Sequence, residues 1–301
     1  MTECTSLSMV LIFNIACELF VRFKELPKNI FLFLTVSSLF IGAMGFSLTF
    51  VGYLFLGIAP SIQICTAVFL MTFSVYSLNK LTDIEEDAIN IPERLNFLSG
   101  RKRRVYFCAL GAYLLSVILA FLDKPSTVPI VFIPLAANAV YSSKPIKGLP
   151  RLKDIPVMKN ISVAVSWALT CTFLPVVHVP GAPGMTIAMV FYIMVVKVFI
   201  NTVLYDIRDV KGDCKNGIIT MPVLLGTKKT TAVLLALNST LLLPILTFME
   251  GEVKLFMVAL VLYGYIYILY FRERRNPLTL DFFVDGEWTM GIALLKILYH
   301  I

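Results

Sequence analysis

Between Asn29 and Asn79 the chain carries no charged residue at all. A water-soluble domain has no way to cover so long an apolar run. A helix needs only about 20 apolar residues to cross the hydrocarbon of a bilayer. The run therefore holds two spans, and Gly57-Ile58-Ala59-Pro60 supplies the turn between them. Further charge-poor runs follow at Val105–Leu122, Thr127–Tyr141, Asn160–Val177, Gly184–Leu204, Thr230–Met249, Leu255–Phe271 and Phe282–Tyr299. Thr127–Tyr141 is short and contains Pro129 and Pro134, which interrupt a helix. Strands of a membrane barrel would be about ten residues of alternating polarity. These runs are continuously apolar, and in lipid the backbone must satisfy its polar groups within its own segment, so they are helices. The expectation is an all-α, polytopic membrane protein, a bundle of about nine transmembrane helices forming one domain over residues 1–301.

Ser6–Phe23 has neither a basic leader nor a small-residue cleavage site, so it does not read as a signal peptide. Glu18 and Arg22 near its end suit a helix lying at the membrane surface, which places residues 1–28 at the interface, with an extra span as the rival. The net charge of +7 sorts by loop. With nine spans, all 26 basic residues except Lys124, Lys197, Lys254 and Lys296 fall on one side. That asymmetry puts the charged loops in the cytoplasm. The basicity is therefore topological, and no nucleic-acid partner is expected. Hydrophobic residues make up 58% of the chain and charged ones 15%, against about 25% charged in soluble domains. Six cysteines are scattered without a C-x-x-C, so neither a disulfide framework nor a zinc site is indicated. His178 and His300 both fall on the side away from the long polar loops, which leaves little basis for a haem protein or a Ser-His-Asp hydrolase.

Long polar loops occur only on the cytoplasmic side, and two helix ends there concentrate carboxylates. At the end of the second span, Asn79, Asp83 and Asp87 recur every four residues and so share one helical face. At the end of the sixth, Asp209 and Asp213 repeat the spacing, with Asp206 one turn earlier and Asn201 inside the apolar segment. A lone D-x-x-x-D is ordinarily a solvated face. Two copies at the feet of two spans, where an uncompensated acid is costly, point to a bound cation. Oxygen-only ligands suit Mg²⁺, which takes one or two carboxylates and completes its shell with water and phosphate.

The chain here resembles the UbiA-type membrane prenyltransferases. The family's first motif, N-x-x-x-D-x-x-x-D, is matched at Asn79, Asp83 and Asp87, and the end of its second at Asp209 and Asp213. Asn90-Ile91-Pro92-Glu93-Arg94, Ser99-Gly100 and Tyr141-Ser142-Ser143-Lys144-Pro145-Ile146-Lys147 extend the resemblance along the chain. Two departures bear on the acceptor: Asn79-Lys80 stands where many members have Asn-Asp, and Leu95-Asn96-Phe97-Leu98 replaces a Pro-rich stretch.

The resemblance implies an intramembrane prenyltransferase that ionises an isoprenyl diphosphate bound to two Mg²⁺ ions and transfers the prenyl chain to an aromatic or other lipophilic acceptor. Asn79, Asp83, Asp87, Asp206, Asp209 and Asp213 would hold the metal, with the aspartates of the two D-x-x-x-D pairs also counted as catalytic. Arg94, Lys144 and Lys147 would bind the diphosphate, and Tyr141 would offer a π face to the allylic cation. Lys197 lies at i, i+4, i+8 with Asn201 and Tyr205, so it is expected to face the same substrate. The rival reading is a transporter for a divalent cation or organic ion, which would place its ligands on broken helices near the midplane.

Overall fold

The structure is a computed structural model that describes residues 28–82, 84, 91–142, 155–215, 217–273 and 277–292. The expected interfacial segment before residue 28, and Lys296, lie outside them. The described residues form helices only: α1 Lys28–Val36, α2 Leu39–Phe55, α3 Ile62–Thr82, α4 Pro92–Leu98, α5 Lys102–Asp123, α6 Val128–Val131, α7 Ile133–Ser142, α8 Met158–Val176, α9 Gly184–Lys215, α10 Met221–Leu225, α11 Thr227–Thr240, α12 Leu242–Phe248, α13 Gly251–Tyr270 and α14 Pro277–Asp285. A further helical stretch covers 287–292. Among the described residues, five helical segments are long and apolar enough to cross a membrane: α3, α5, α9, α11 with α12, and α13.

The charge-free run folds as α1, α2 and α3, and α2 turns toward α3 at Gly57, whose φ of +68° suits a residue without a Cβ. Upstream, Ser38 is also left-handed and parts α1 from α2. The carbonyls freed at the end of α1 are met by Lys80, whose Nζ donates to Val36 O at 2.9 Å and to Ser38 Oγ at 2.8 Å. Small residues set the packing, as expected where lipid tails compete equally for apolar surface. A Cβ on Gly52 of α2 would stand 2.5 Å from the Cys171 carbonyl of α8. In α5 the buried positions are Ala109, Tyr113, Ser116 and Ala120, one stripe along the helix, and Ser116 Oγ donates to Ala67 O of α3 at 2.7 Å. Its opposite face, with Phe107, Leu110, Leu114, Ile118 and Phe121, is exposed and suited to lipid.

Three expected spans have different limits. Thr127–Tyr141 is not one helix: a 3₁₀ turn at Pro125–Thr127, α6 and α7 follow one another, with breaks where Pro129 and Pro134 withdraw N–H donors. Thr230–Met249 is likewise divided at Leu241, because Pro244 has no N–H for the Thr240 carbonyl. The last span does not begin at Phe282. Its helix starts at Pro277, turns at Gly286 and resumes, so Asp281 and Asp285 lie within it.

The central element is α9. Its 32 residues extend about 48 Å, whereas the hydrocarbon core is about 30 Å thick. The last turns, with Asp206, Asp209 and Asp213, therefore stand beyond a membrane-length segment on the same rigid rod. At the far end of the bundle, His178 Nε2 meets Asp123 Oδ2 at 2.7 Å, its Nδ1 lies 3.1 Å from Tyr53 Oη, and Ser61 Oγ donates to Asp123. That network ties α2, α3, α5 and α8 together at the end opposite the acidic residues.

Candidate active site

A cavity of about 240 Å³ opens among α3, α4, α7, α8, α9 and α14. Asn79 reaches it from the last turn of α3, and Asn138 of α7 donates to Asn79 Oδ1 at 3.1 Å. Arg94 comes from α4, a short helix that Pro92 starts and that ends before Gly100, where φ is +68°. From α9, Asp206, Asp209 and Asp213 stand on one face, as i, i+3, i+7 spacing requires.

The charges are buried and mostly compensated. Asp206, Arg208, Asp213, Asp281 and Asp285 are all 6% exposed or less, and a buried charge without partners is strongly unfavourable. Asp206 accepts from Asn160 Nδ2 at 2.8 Å and pairs with Lys159 at 3.2 Å. Arg208 grips Asp209 with Nε and Nη2, each at 2.8 Å, a bidentate geometry. Its Nη1 donates to Asp281 at 2.7 Å, and its guanidinium lies 4.7 Å from the Tyr205 ring centroid. Asp281 also faces Arg94 at 3.6 Å. Asp213 accepts from the Thr220 hydroxyl at 3.3 Å and, among the described residues, has no ion pair. Deeper in the cavity, Tyr76 and Trp167 stack with centroids 6.0 Å apart.

The cavity thus brings together Asn79, Arg94, Asp206, Asp209 and Asp213 from the residues singled out by sequence. Asp83, Asp87, Lys144, Lys147 and the side chain of Tyr141 lie outside the described residues. Among the described residues, no three acidic or sulfur- or imidazole-bearing side chains cluster closely enough to hold a metal alone. Lys197 is a correction. It does not line the cavity but is fully buried in an ion pair with Glu287, and it donates to Tyr267 Oη at 3.0 Å. Eight residues along a helix turn the side chain by about 80°, enough to carry Lys197 from the face of Tyr205 toward α13.

Compared with known proteins, residues 31–284 match the UbiA prenyltransferase family. The chain belongs to the UbiA prenyltransferase family. A UbiA homolog from Archaeoglobus fulgidus, bound to GPP and Mg²⁺, superposes with a TM-score of 0.63 at 19% identity over 88% of this chain and 99% of that one. Curated relatives include the digeranylgeranylglyceryl phosphate synthase of Methanococcoides burtonii, 29% identical over 69% of this chain and 73% of that one. Another is the enzyme of the same name from Methanosphaera stadtmanae, 26% identical over 67% and 71%. Membership in the UbiA family decides for prenyl transfer over ion transport.

Several residues of this UbiA site were not anticipated from sequence. Asp281-x-x-x-Asp285 repeats the spacing of both recognised motifs, so a third search with the same pattern would have found it. Arg208 lies between Asp206 and Asp209, but by sequence it counts only among the basic residues of the charged side. For Lys159, Asn160, Tyr76 and Trp167 the sequence carries no such signal, since only the packing of α3 and α8 against α9 brings them in.

Proposed function

We propose that this prenyltransferase binds an allylic isoprenyl diphosphate with magnesium in the acidic cavity and passes the prenyl group to a hydroxyl-bearing lipophilic acceptor. One observation carries the reading: oxygen donors from α3 and α9 share a buried cavity with the guanidinium groups of Arg94 and Arg208. A metal diphosphate is a ligand that needs both kinds of group, carboxylates for the cations and donors for the phosphate oxygens.

The donor set fits magnesium. It is oxygen-only, and Asp213 is a buried carboxylate whose described partner is a hydroxyl, so a cation would complete its charge. Asn79, Asp209 and Asp213 would hold the metal from the described side, and Asp83 and Asp87 from the first motif, with two ions between the motifs. Asp206 would join them, and it and Asp209 would each exchange present partners for the cation, Lys159 and Asn160 for one and Arg208 for the other. Bound there, magnesium would neutralise charge developing on the diphosphate as the allylic C–O bond breaks.

The residues of the chain do the rest. Arg94 and Arg208 hold phosphate oxygens, with Lys144 and Lys147 as further donors. Tyr76, Trp167 and Tyr205 wall the cavity with aromatic surface that favours a cation over water, and Tyr141 would offer a further π face to the allylic cation. The curated relatives are digeranylgeranylglyceryl phosphate synthases, which favours a lipid phosphate with a free hydroxyl as acceptor. The same reading gives nine spans in one domain, an interfacial N-terminal helix, and a cavity opening to the cytoplasm, supported by the sorting of basic residues. The test is mass spectrometry of purified protein incubated with geranylgeranyl diphosphate, Mg²⁺ and a panel of hydroxylated lipid phosphates and phenols. A prenylated product that needs Mg²⁺ is expected. Intact donor with every acceptor would overturn the proposal.

A further inference from the structure

The carboxylates lining the cavity differ in what holds them. Asp206 has Lys159 and Asn160, Asp209 has Arg208, Asp281 has Arg208 and faces Arg94, and Asp213 has the Thr220 hydroxyl. Asp285 is 5% exposed and lines the same cavity, yet among the described residues it has no ion pair. The Tyr205 hydroxyl is beside it, and the charges of Asp281, Arg208 and Arg94 also reach it. That hydroxyl is itself shut off from solvent and makes no hydrogen bond of good geometry. A buried carboxyl left in this condition is unfavourable for the fold alone, which favours a role toward a ligand.

Its position says which part of the ligand. Asp281, one turn earlier on α14, sits with the arginines assigned to the diphosphate. Glu287, just beyond Asp285, pairs with Lys197, eleven residues before Arg208 on α9 and so about 16 Å back along that helix. The segment from Asp281 to Glu287 therefore runs from the phosphate end of the cavity into the bundle. Asp285 stands one turn beyond Asp281 on that segment and still within reach of the Arg208 and Arg94 charges, a position that would set it beside the bond between diphosphate and prenyl chain.

We infer that Asp285 is the catalytic base that takes the proton from the acceptor. The inference rests on the prenyl-transfer reading but not on which acceptor is used, because an alcohol or an aromatic carbon must each lose a proton. The allylic C–O bond breaks and its electron pair leaves with the diphosphate. The acceptor atom supplies the pair for the new bond to the prenyl carbon. Its proton passes to the Asp285 carboxylate, which returns it to water when product leaves. The Tyr205 hydroxyl, beside that carboxyl and without a partner of good geometry of its own, is the group placed to orient it.

The experiment follows both products of the reaction. Wild type, Asp285→Asn, Asp285→Glu and Tyr205→Phe are each given geranylgeranyl diphosphate, Mg²⁺ and an accepted acceptor, and diphosphate, prenylated product and prenyl alcohol are quantified. Asp285→Asn should lower product formation ~100-fold. The ratio of diphosphate released to prenyl group transferred should rise, the excess appearing as prenyl alcohol where water has captured the cation. Asp285→Glu keeps the base and should hold the ratio near that of wild type, which keeps the test valid if the Asn variant folds poorly. Tyr205→Phe should shift the ratio in the same direction as Asp285→Asn, by less. The inference is overturned if Asp285→Asn retains product formation within ~3-fold, or if diphosphate and product fall in step at an unchanged ratio. It is overturned equally if Asp285→Glu raises the ratio as far as Asn does. A wild-type protein that releases no diphosphate would overturn the transfer reading itself, a distinct result.

Discussion

Arg208 holds Asp209 with two nitrogens and Asp281 with a third, so one guanidinium joins the second motif to the C-terminal segment. A lysine could not reproduce that fork. A few residues deeper, Lys197, Glu287 and Tyr267 form a second buried network, and Tyr267 Oη donates to Asn201 Oδ1 at 3.3 Å. Its role is to fix the 287–292 stretch against α9. Removing one charge strands the other, at about 3–5 kcal/mol, whereas replacing both by apolar groups can be neutral or better. Lys197→Met should therefore lower the melting temperature in detergent sharply, and Lys197→Met with Glu287→Leu should recover much of the loss. A single variant that melts like wild type would contradict the buried pair. The helical repeat placed Lys197 on the face of Tyr205, but 40° of drift at each four-residue step moves it to another neighbour. The repeat worked for Asp206 and Asp213 because seven residues return to within about 20° of the starting direction.

At the scale of elements, length and proline explain most of what charge-poor windows could and could not locate. The windows found α2, α3, α5, α8 and α13 because each is one apolar helix bounded by loops. They cut α9 at Leu204, since a window ends where charge begins, whereas the helix continues to Lys215 because nothing in Tyr205–Lys215 breaks it. They also missed the Ser38 break, which leaves no trace in polarity and depends on Lys80 closing the end of α1. Close packing of α2 gives a direct check. Gly52→Ala drives a Cβ against the Cys171 backbone carbonyl, which cannot move aside cheaply, while a Cβ on Gly111 of α5 meets nothing within 4 Å. Gly52→Ala should cost about 1–3 kcal/mol of stability. Gly111→Ala should be neutral or stabilise by up to about 1 kcal/mol through helix propensity. Thermal melts of the two variants, with equal destabilisation by both, would show that α2 and α8 are not packed this closely.

For the whole molecule, the two ends of the bundle are chemically different. One carries buried acids and arginines around a cavity, the other the His178–Asp123–Tyr53 network. The nine-span reading places Lys228 and Glu250, both exposed, on opposite faces of the membrane. Single cysteines at these positions, in a background lacking the native six, should be labelled by an impermeant reagent from opposite sides. Labelling of both from one side would contradict that topology. The site itself was legible as two acidic helix ends because metal chemistry restricts residue type and spacing. Its third acidic pair carries the same spacing and is readable in the same way, whereas its aromatic wall is not, because that arises from helices brought together only on folding. The central claim is that two motifs distant in sequence, at Asn79–Asp87 and Asp209–Asp213, serve one metal diphosphate. It is tested most directly by Mg²⁺-dependent release of diphosphate from an allylic donor by Asp83→Asn, Asp209→Asn and the double variant. Groups that act as a unit are not additive, so each single variant should lose most turnover and the double should be little worse than either. Near-wild-type release by either single variant, or release undiminished by EDTA, would contradict a shared site.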